Sequence, residues 1–221
     1  ADTQLVESLG IPLKEVDGGS PTFTIPLVRK KIAVVKPTVA NKDFRPEPIM
    51  IPDDYEGVLS LVKHLSLVIE RNPHTFVSMK EPDIRNIILV LLNAVYEGTA
   101  TGETFNGSGK TDILFRHEGQ NLFIAECKFW HGAIEFHKAI SQLFDRYLTW
   151  SDSKVSLIFF VQNQNFSNTI DTILDEAAKH PYFKKFTGKR GDSSFSYVFH
   201  LPQDKEKDVQ LEIMAFHYDK K

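Results

Sequence analysis

The chain of 221 residues has a single cysteine, Cys127, so it can build neither an internal disulfide framework nor a cysteine-rich zinc site. Long apolar runs are also missing. The longest spans six residues, Ile87 to Leu92, against the roughly 18 that a membrane helix needs. Neither sign of charge dominates: 26 Lys and Arg face 29 Asp and Glu, a formal net charge of -3. Any binding to nucleic acid must therefore come from a local basic patch and not from the overall field. The eight histidines show no His-Glu-x-x-His spacing, which argues against a helical zinc-protease site. There is no internal repeat and no low-complexity segment. The start carries no charged segment followed by an apolar one, so no secretory signal is visible and a cytoplasmic location without a membrane partner is expected. Because the chain starts at Ala1 and not at Met, a processed or excised piece of a longer protein is also expected.

What is present is ordinary for a globular protein: 42% apolar and 25% charged residues, enough to bury a sizeable core. The length suits one domain, or one with an appendage. Residues 1–52 are punctuated by proline and by Gly18-Gly19, with one strand-like stretch from Leu27 to Val35. Asp53 or Asp54 can cap a helix that runs to about Arg71, where Asn72-Pro73 ends it. These elements, residues 1–80, are expected to form an N-terminal appendage packed on the core. A second helix starts at Glu81-Pro82, with acids in its first turn, and runs to about Glu97 with Gly98 as its stop. Three strand-like segments follow, Thr101–Asn106, Lys110–Arg116 and Asn121–Trp130, separated by glycine-containing turns. A helix from about Ala133 to Trp150, an apolar strand from Val155 to Val161 and a helix over 167–180 come next. Two late strands, about 194–201 and 208–217, suggest a C-terminal β-hairpin. The order from residue 82 points to an α/β core, a mixed sheet flanked by helices.

Chemistry concentrates in Gly109-Lys110-Thr111-Asp112-Ile113 and Ala125-Glu126-Cys127-Lys128. Side chains alternate along a strand, so Glu126 and Lys128 share one face while Cys127 lies on the other. If the two strands pair across the Glu118-Gly119-Gln120 turn, Asp112 comes to lie near Glu126. Two carboxylates so placed repel each other, which raises a pKa, and a hard divalent cation relieves the repulsion. Such an ion polarises a phosphoryl oxygen and acidifies its bound water, and a neighbouring lysine can stabilise charge growing on the phosphate. The parts suit metal-assisted phosphodiester hydrolysis.

On these residues, Asp112 followed by Glu126-Cys127-Lys128, the sequence resembles the PD-(D/E)XK superfamily of restriction-endonuclease-like nucleases. The resemblance covers about residues 81–161, including the helix–three strands–helix–strand order. Thr111 stands where the family name has proline, a position known to vary. The resemblance implies a restriction-endonuclease-like αβββαβ core within a nuclease domain over 81–221. It implies a Mg²⁺-dependent nuclease acting on DNA, with Mn²⁺ as a substitute, Asp112 and Glu126 as metal ligands and Lys128 as the catalytic lysine. Bacterial defence or restriction is a reasonable role. A catalytically silent binding or assembly module of the same fold, and an RNA nuclease, are the alternatives. A second copy of the chain and a further domain outside it are candidate partners.

Many members of the superfamily carry an additional acid on the first core helix. Glu81 is the first choice as an extra metal ligand, with Asp83 and Glu97 behind it, although Glu81 can equally serve only the helix dipole. Glu103, on the first strand, is a second candidate ligand. Lys138, Gln142 and Arg146 recur every four residues on the long helix. In the exonuclease-like branch a Gln followed by a Tyr lies on this helix beside the active site, which makes Gln142 a candidate to place water or phosphate. The spacing from Gln142 to Tyr147 is one residue longer than the usual Gln-x3-Tyr, so Tyr147 is not counted in the site. Lys110, Lys138 and Arg146 are candidate DNA contacts, weighed against solvated surface positions. Phe129 and Trp130 are expected to close the core. Gly107-Ser108-Gly109-Lys110-Thr111 leads into a strand and lacks the spacing of a phosphate-binding loop.

Overall fold

A computed structural model describes residues 30–35, 49–96, 100–102, 104–106, 109–117 and 120–218. The chain divides into two compact units, Ala1–Lys30 and Lys31–Lys221, and the architecture below is that of the second. Residues 27–29 of the Leu27–Val35 stretch, Glu97, Gly98 and Glu103 lie outside the described residues.

The elements run β1 (Val34–Val35), β2 (Ile49–Met50), α1 (Pro52–Arg71), α2 (Pro73–Phe76), α3 (Glu81–Val95), β3 (Ala100–Thr101), β4 (Thr104–Asn106), β5 (Gly109–Thr111), β6 (Ile113–His117) and β7 (Gln120–Phe129). Then come α4 (Ala133–Gln142), a π-helical turn (Leu143–Tyr147), β8 (Lys154–Val161), α5 (Phe166–Ala177), β9 (Phe183–Gly191), β10 (Ser194–Leu201) and β11 (Asp204–His217). A seven-stranded sheet has the order β3-β6-β7-β8-β11-β10-β9. Strand β8 sits at its centre, parallel to both β7 and β11, and the outer pairs on each side are antiparallel. The protein is thus a mixed α/β structure with helices flanking a mixed sheet.

Each face of the sheet carries its own core, as period-two alternation requires. On one face Ile124, Leu157, Phe159, Leu211 and Ile213 pack with Phe136, Ile140, Leu143 and Phe144 of α4 and the π-turn, and with Ile173 of α5. On the other, Ile113, Phe115, Phe123, Ala125, Cys127, Ile158 and Phe160 pack with Val58, Leu59 and Val62 of α1 and Ile84, Ile88 and Leu92 of α3. Helix α1 therefore shares its core with α3, and the division between units falls at residue 30 and not at residue 80. The physical reason is the stripe along α1, which needs an apolar partner and finds it on the sheet. Its start also differs from the expectation: Pro52 opens the helix, and Asp53 and Asp54 lie within the first turn.

Three further differences bear on the site. The two expected strands before β7 are each broken, at Gly102 and at Asp112. Segments β3 and β6 pair within the main sheet, while β4 and β5 form a separate two-stranded hairpin. Gly102 sits tight against Leu89, and a Cβ there would also lie 3.3 Å from the Asp112 carbonyl. The expected long helix stops at Tyr147, after the π-turn. Finally, the late strands are not an appended hairpin: β11 pairs in parallel with β8, and β10 and the unforeseen β9 extend the sheet. Strand β9, Phe-Lys-Lys-Phe-Thr-Gly-Lys-Arg-Gly, is an exposed edge strand guarded by lysines and has no apolar alternation to reveal it. Among the described residues no helix is long and apolar enough to cross a membrane.

Candidate active site

The site forms where the bend at Asp112 meets the last turn of β7. Ile113 pairs with Ala125, which sets Asp112 beside Glu126 as the hairpin reading required. The Asp112 N–H donates to Glu126 Oε1 at 3.1 Å, and the Cys127 N–H donates to Asp112 Oδ2 at 2.8 Å. The Asp112 bend and β7 are thus tied together through both acid side chains. Lys128 Nζ stands 3.5 Å from Glu126 Oε2 and 3.5 Å from Glu81 Oε1. Glu81, in the first turn of α3, also accepts the Phe129 N–H at 3.0 Å. One helical turn on, Arg85 Nη1 donates to Asp112 Oδ1 at 3.2 Å.

These groups differ in their access to water. The Glu126 side chain is 3% exposed, whereas that of Lys128 is 28% exposed and opens into a cleft. Burial, followed by the charge of Asp112, pushes the Glu126 carboxyl up to about 8, against the opposing pull of Lys128. Burial alone would lower Lys128. The combined charges of Glu126, Glu81 and Asp112 outweigh it and raise the lysine above its ordinary value, so it stays an ammonium. Cys127 is wholly buried on the opposite face, where burial and then the nearby acids push its thiol well up. A thiolate nucleophile is therefore unavailable there.

A small cleft of about 90 Å³ is lined by Glu81, Lys128 and Phe129 on one side and by Glu135, Lys138, Ala139 and Gln142 of α4 on the other. A second groove continues along α4 past Ser141, Asp145 and Arg146. Gln142 donates through Nε2 to the Tyr147 hydroxyl across the π-turn. On a regular α-helix a residue five positions on would point about 140° away. The i→i+5 turn absorbs the extra residue and returns Tyr147 to the face of Gln142. Lys128 senses Tyr147 electrostatically, so the tyrosine excluded on spacing belongs to the same neighbourhood.

The remaining candidates are distributed as follows. Lys138 lines the cleft but pairs with Glu135 at 2.7 Å, and both side chains are more than half exposed. Arg146 lines the second groove, and Lys110 is exposed on β5, whose hairpin packs against the π-turn. Asp83 caps α3 by accepting the Lys80 N–H at 2.8 Å, which gives it a structural task. Trp130 is buried, as expected of a core residue. Sequence reasoning missed Arg85, although its place four residues after Glu81 put it on the same helical face. Ser141 Oγ lies 3.2 Å from His180 Nε2, an arrangement reminiscent of a hydrolase pair. His180 Nδ1 accepts the Tyr182 N–H, so in the neutral ring the proton sits on Nε2 and the serine is not activated.

The donor set fits a hard divalent ion. The adjacent Asp112 and Glu126 carboxyls, the second buried and carrying a raised pKa, form an oxygen-rich pair of like charge that Mg²⁺ would relieve. Glu81 is drawn to Lys128 and Phe129. Among the described residues no group of three or more His, Cys, Asp or Glu side chains gathers around one point. Comparison of the chain with family models, with curated proteins and with solved structures finds no match.

Proposed function

We propose that this protein is a metal-dependent nuclease of the restriction-endonuclease-like type that hydrolyses phosphodiester bonds in DNA. The observation that carries the reading is the placement of Asp112 beside Glu126, fixed by the Ile113–Ala125 pairing and two backbone hydrogen bonds, with Lys128 3.5 Å from Glu126 and lining a cleft. Asp112 and Glu126 would hold a Mg²⁺ or Mn²⁺ ion. Such an ion supplies Lewis acidity toward a phosphoryl oxygen and acidifies its bound water.

The chain's own residues do the rest. Lys128 is anchored from two sides by Glu126 and Glu81, which fixes its ammonium at the cleft wall. Being charged at neutral pH, it cannot act as the base. It donates to a phosphate oxygen or to the attacking water and stabilises negative charge that grows as the bond breaks. Gln142, with Nε2 committed to Tyr147, offers its Oε1 to orient a water from the opposite wall. The backbone cross-links between Asp112 and β7 hold both carboxylates in place before substrate arrives.

The experiment incubates the full chain with supercoiled plasmid, linear duplex, single-stranded DNA and RNA, each with Mg²⁺, Mn²⁺ or chelator. Lys128→Met serves as the control. Metal-dependent cutting that is lost in the control supports the proposal, and the substrate cut says whether an end is required and which nucleic acid is taken. Cutting of RNA alone moves the assignment to a ribonuclease. Metal binding without cutting of any substrate identifies the silent module in its place.

A further inference from the structure

Helix α3 presents two opposite charges to the site from one face. Glu81 reaches Lys128, and Arg85, four residues later, reaches Asp112. Arg85 is not a surface residue that drifts into contact: its side chain is 10% exposed. Holding a guanidinium there is unfavourable unless a fixed negative charge answers it, and Asp112 supplies one.

We infer that Arg85 serves this site as a built-in second cation, so that the Asp112–Glu126 pair takes one divalent ion and not two. The inference rests on the nuclease reading above and concerns how its metal site is completed. Its first support is the occupancy of Asp112. A carboxylate that joins two metal ions must offer an oxygen to each. In this protein Oδ1 already accepts from Arg85 and Oδ2 from the Cys127 N–H, so both oxygens have a protein donor. The second support is the supply of donors. Among the described residues Glu81 is a further acid at the site, and its two oxygens are engaged by Lys128 and by the Phe129 N–H.

Charge balance agrees. Among the described residues three carboxylates, Glu81, Asp112 and Glu126, stand against two fixed cations, Arg85 and Lys128. One divalent ion and one phosphodiester bring this group to neutrality. A second divalent ion would leave two uncompensated positive charges in a partly buried site, where they are costly. Arg85 acts through Asp112 and does not line the cleft, so it is a positioning residue and not a catalytic one.

The test counts ions without relying on activity. Metal-free full chain is titrated with Mn²⁺ by calorimetry, and bound Mn²⁺ is counted by electron paramagnetic resonance. The set comprises the wild type, Arg85→Lys, Arg85→Gln and Asp112→Asn, with circular dichroism to confirm folding. Wild type and Arg85→Lys should each bind one ion. Arg85→Gln keeps a donor toward Asp112 but loses the charge, so it should bind a second ion or hold the first at least about tenfold more tightly. Two ions on the wild type overturn the inference. So does an Arg85→Gln protein with the wild-type count and affinity, and in both cases the nuclease reading stands. Should Arg85→Gln fail to fold, the counts for wild type and Arg85→Lys decide. A wild type that takes up no Mn²⁺, unchanged by Asp112→Asn, removes the nuclease reading and this inference together.

Discussion

Two buried glutamates on one sheet show how differently a fold can treat the same side chain. Glu126 on β7 and Glu212 on β11 both flank the central strand β8, opposite Leu157 and Ser156 respectively. Glu212 is fully buried and fully answered: Ser194 Oγ and Ser196 Oγ each donate to it at 2.6 Å, and Arg190 Nε donates at 3.0 Å. Glu126 is nearly as buried, yet it receives one backbone N–H and a lysine at 3.5 Å while facing a second carboxylate. A satisfied buried acid fastens strands together. A frustrated one keeps a free energy that a ligand can release.

The comparison can be broken first at activity. Glu126→Gln should abolish metal-dependent cleavage, lowering the rate by at least about a thousandfold, while Glu212→Gln leaves any cleavage by the folded protein within about threefold. Single-turnover assays on the two variants would read this. Stability should run the other way. Glu212→Ala leaves the Ser194 and Ser196 hydroxyls without their acceptor at a buried site and should cost about 1–3 kcal/mol. Glu126→Gln removes a repulsion along with a weak pair and should be at least as stable as wild type. Urea denaturation in chelator measures both.

A pH series sharpens the contrast. The folded state holds a proton on Glu126 up to about 8, whereas the unfolded chain releases it near the ordinary value of 4.5. The folded state therefore binds more protons across that window. The stability contributed by the raised pKa is complete below about 4.5 and is lost as pH rises toward about 8. In chelator, wild type should thus lose stability relative to Glu126→Gln over this range. A wild type and variant with parallel profiles would show that Glu126 is not frustrated.

Smaller effects are expected at the cleft wall. Tyr147→Phe removes the hydroxyl that holds Gln142 and should slow cleavage about tenfold, with the thermal midpoint nearly unchanged. Lys138→Ala removes an exposed ion pair with Glu135 and should change stability by less than about 0.5 kcal/mol. If Lys138 contacts phosphate, its effect will appear in the salt dependence of DNA binding.

How much of this was readable in advance follows from how local each signal is. Asp112, Glu126 and Lys128 could be grouped because one hairpin and a period of two bring them together, with no long-range information needed. The two flanking cores were legible in the apolar stripes of α3 and α4. The partnership of α1 with α3 was not, since an amphipathic stripe says that a partner exists without saying which. Strand β9 escaped because an edge strand is protected by charge, which erases the apolar alternation that identifies strands. Tyr147 was set aside on α-helical spacing, and only the π-turn restored it.

By itself, the sequence determined the alternation of helices and strands, the exclusion of internal disulfides and membrane helices, and the carboxylate–lysine grouping of Asp112 with β7. Each depends on residues close along the chain, whose geometry is set by backbone periodicity. The tertiary structure alone decided that β11 lies parallel to β8, that α1 belongs to the core and that Arg85 answers Asp112. It also decided that Glu126 is strained where Glu212 is satisfied. Those outcomes depend on which distant groups are brought into contact, and burial multiplies the energetic consequence of each charge that is or is not met.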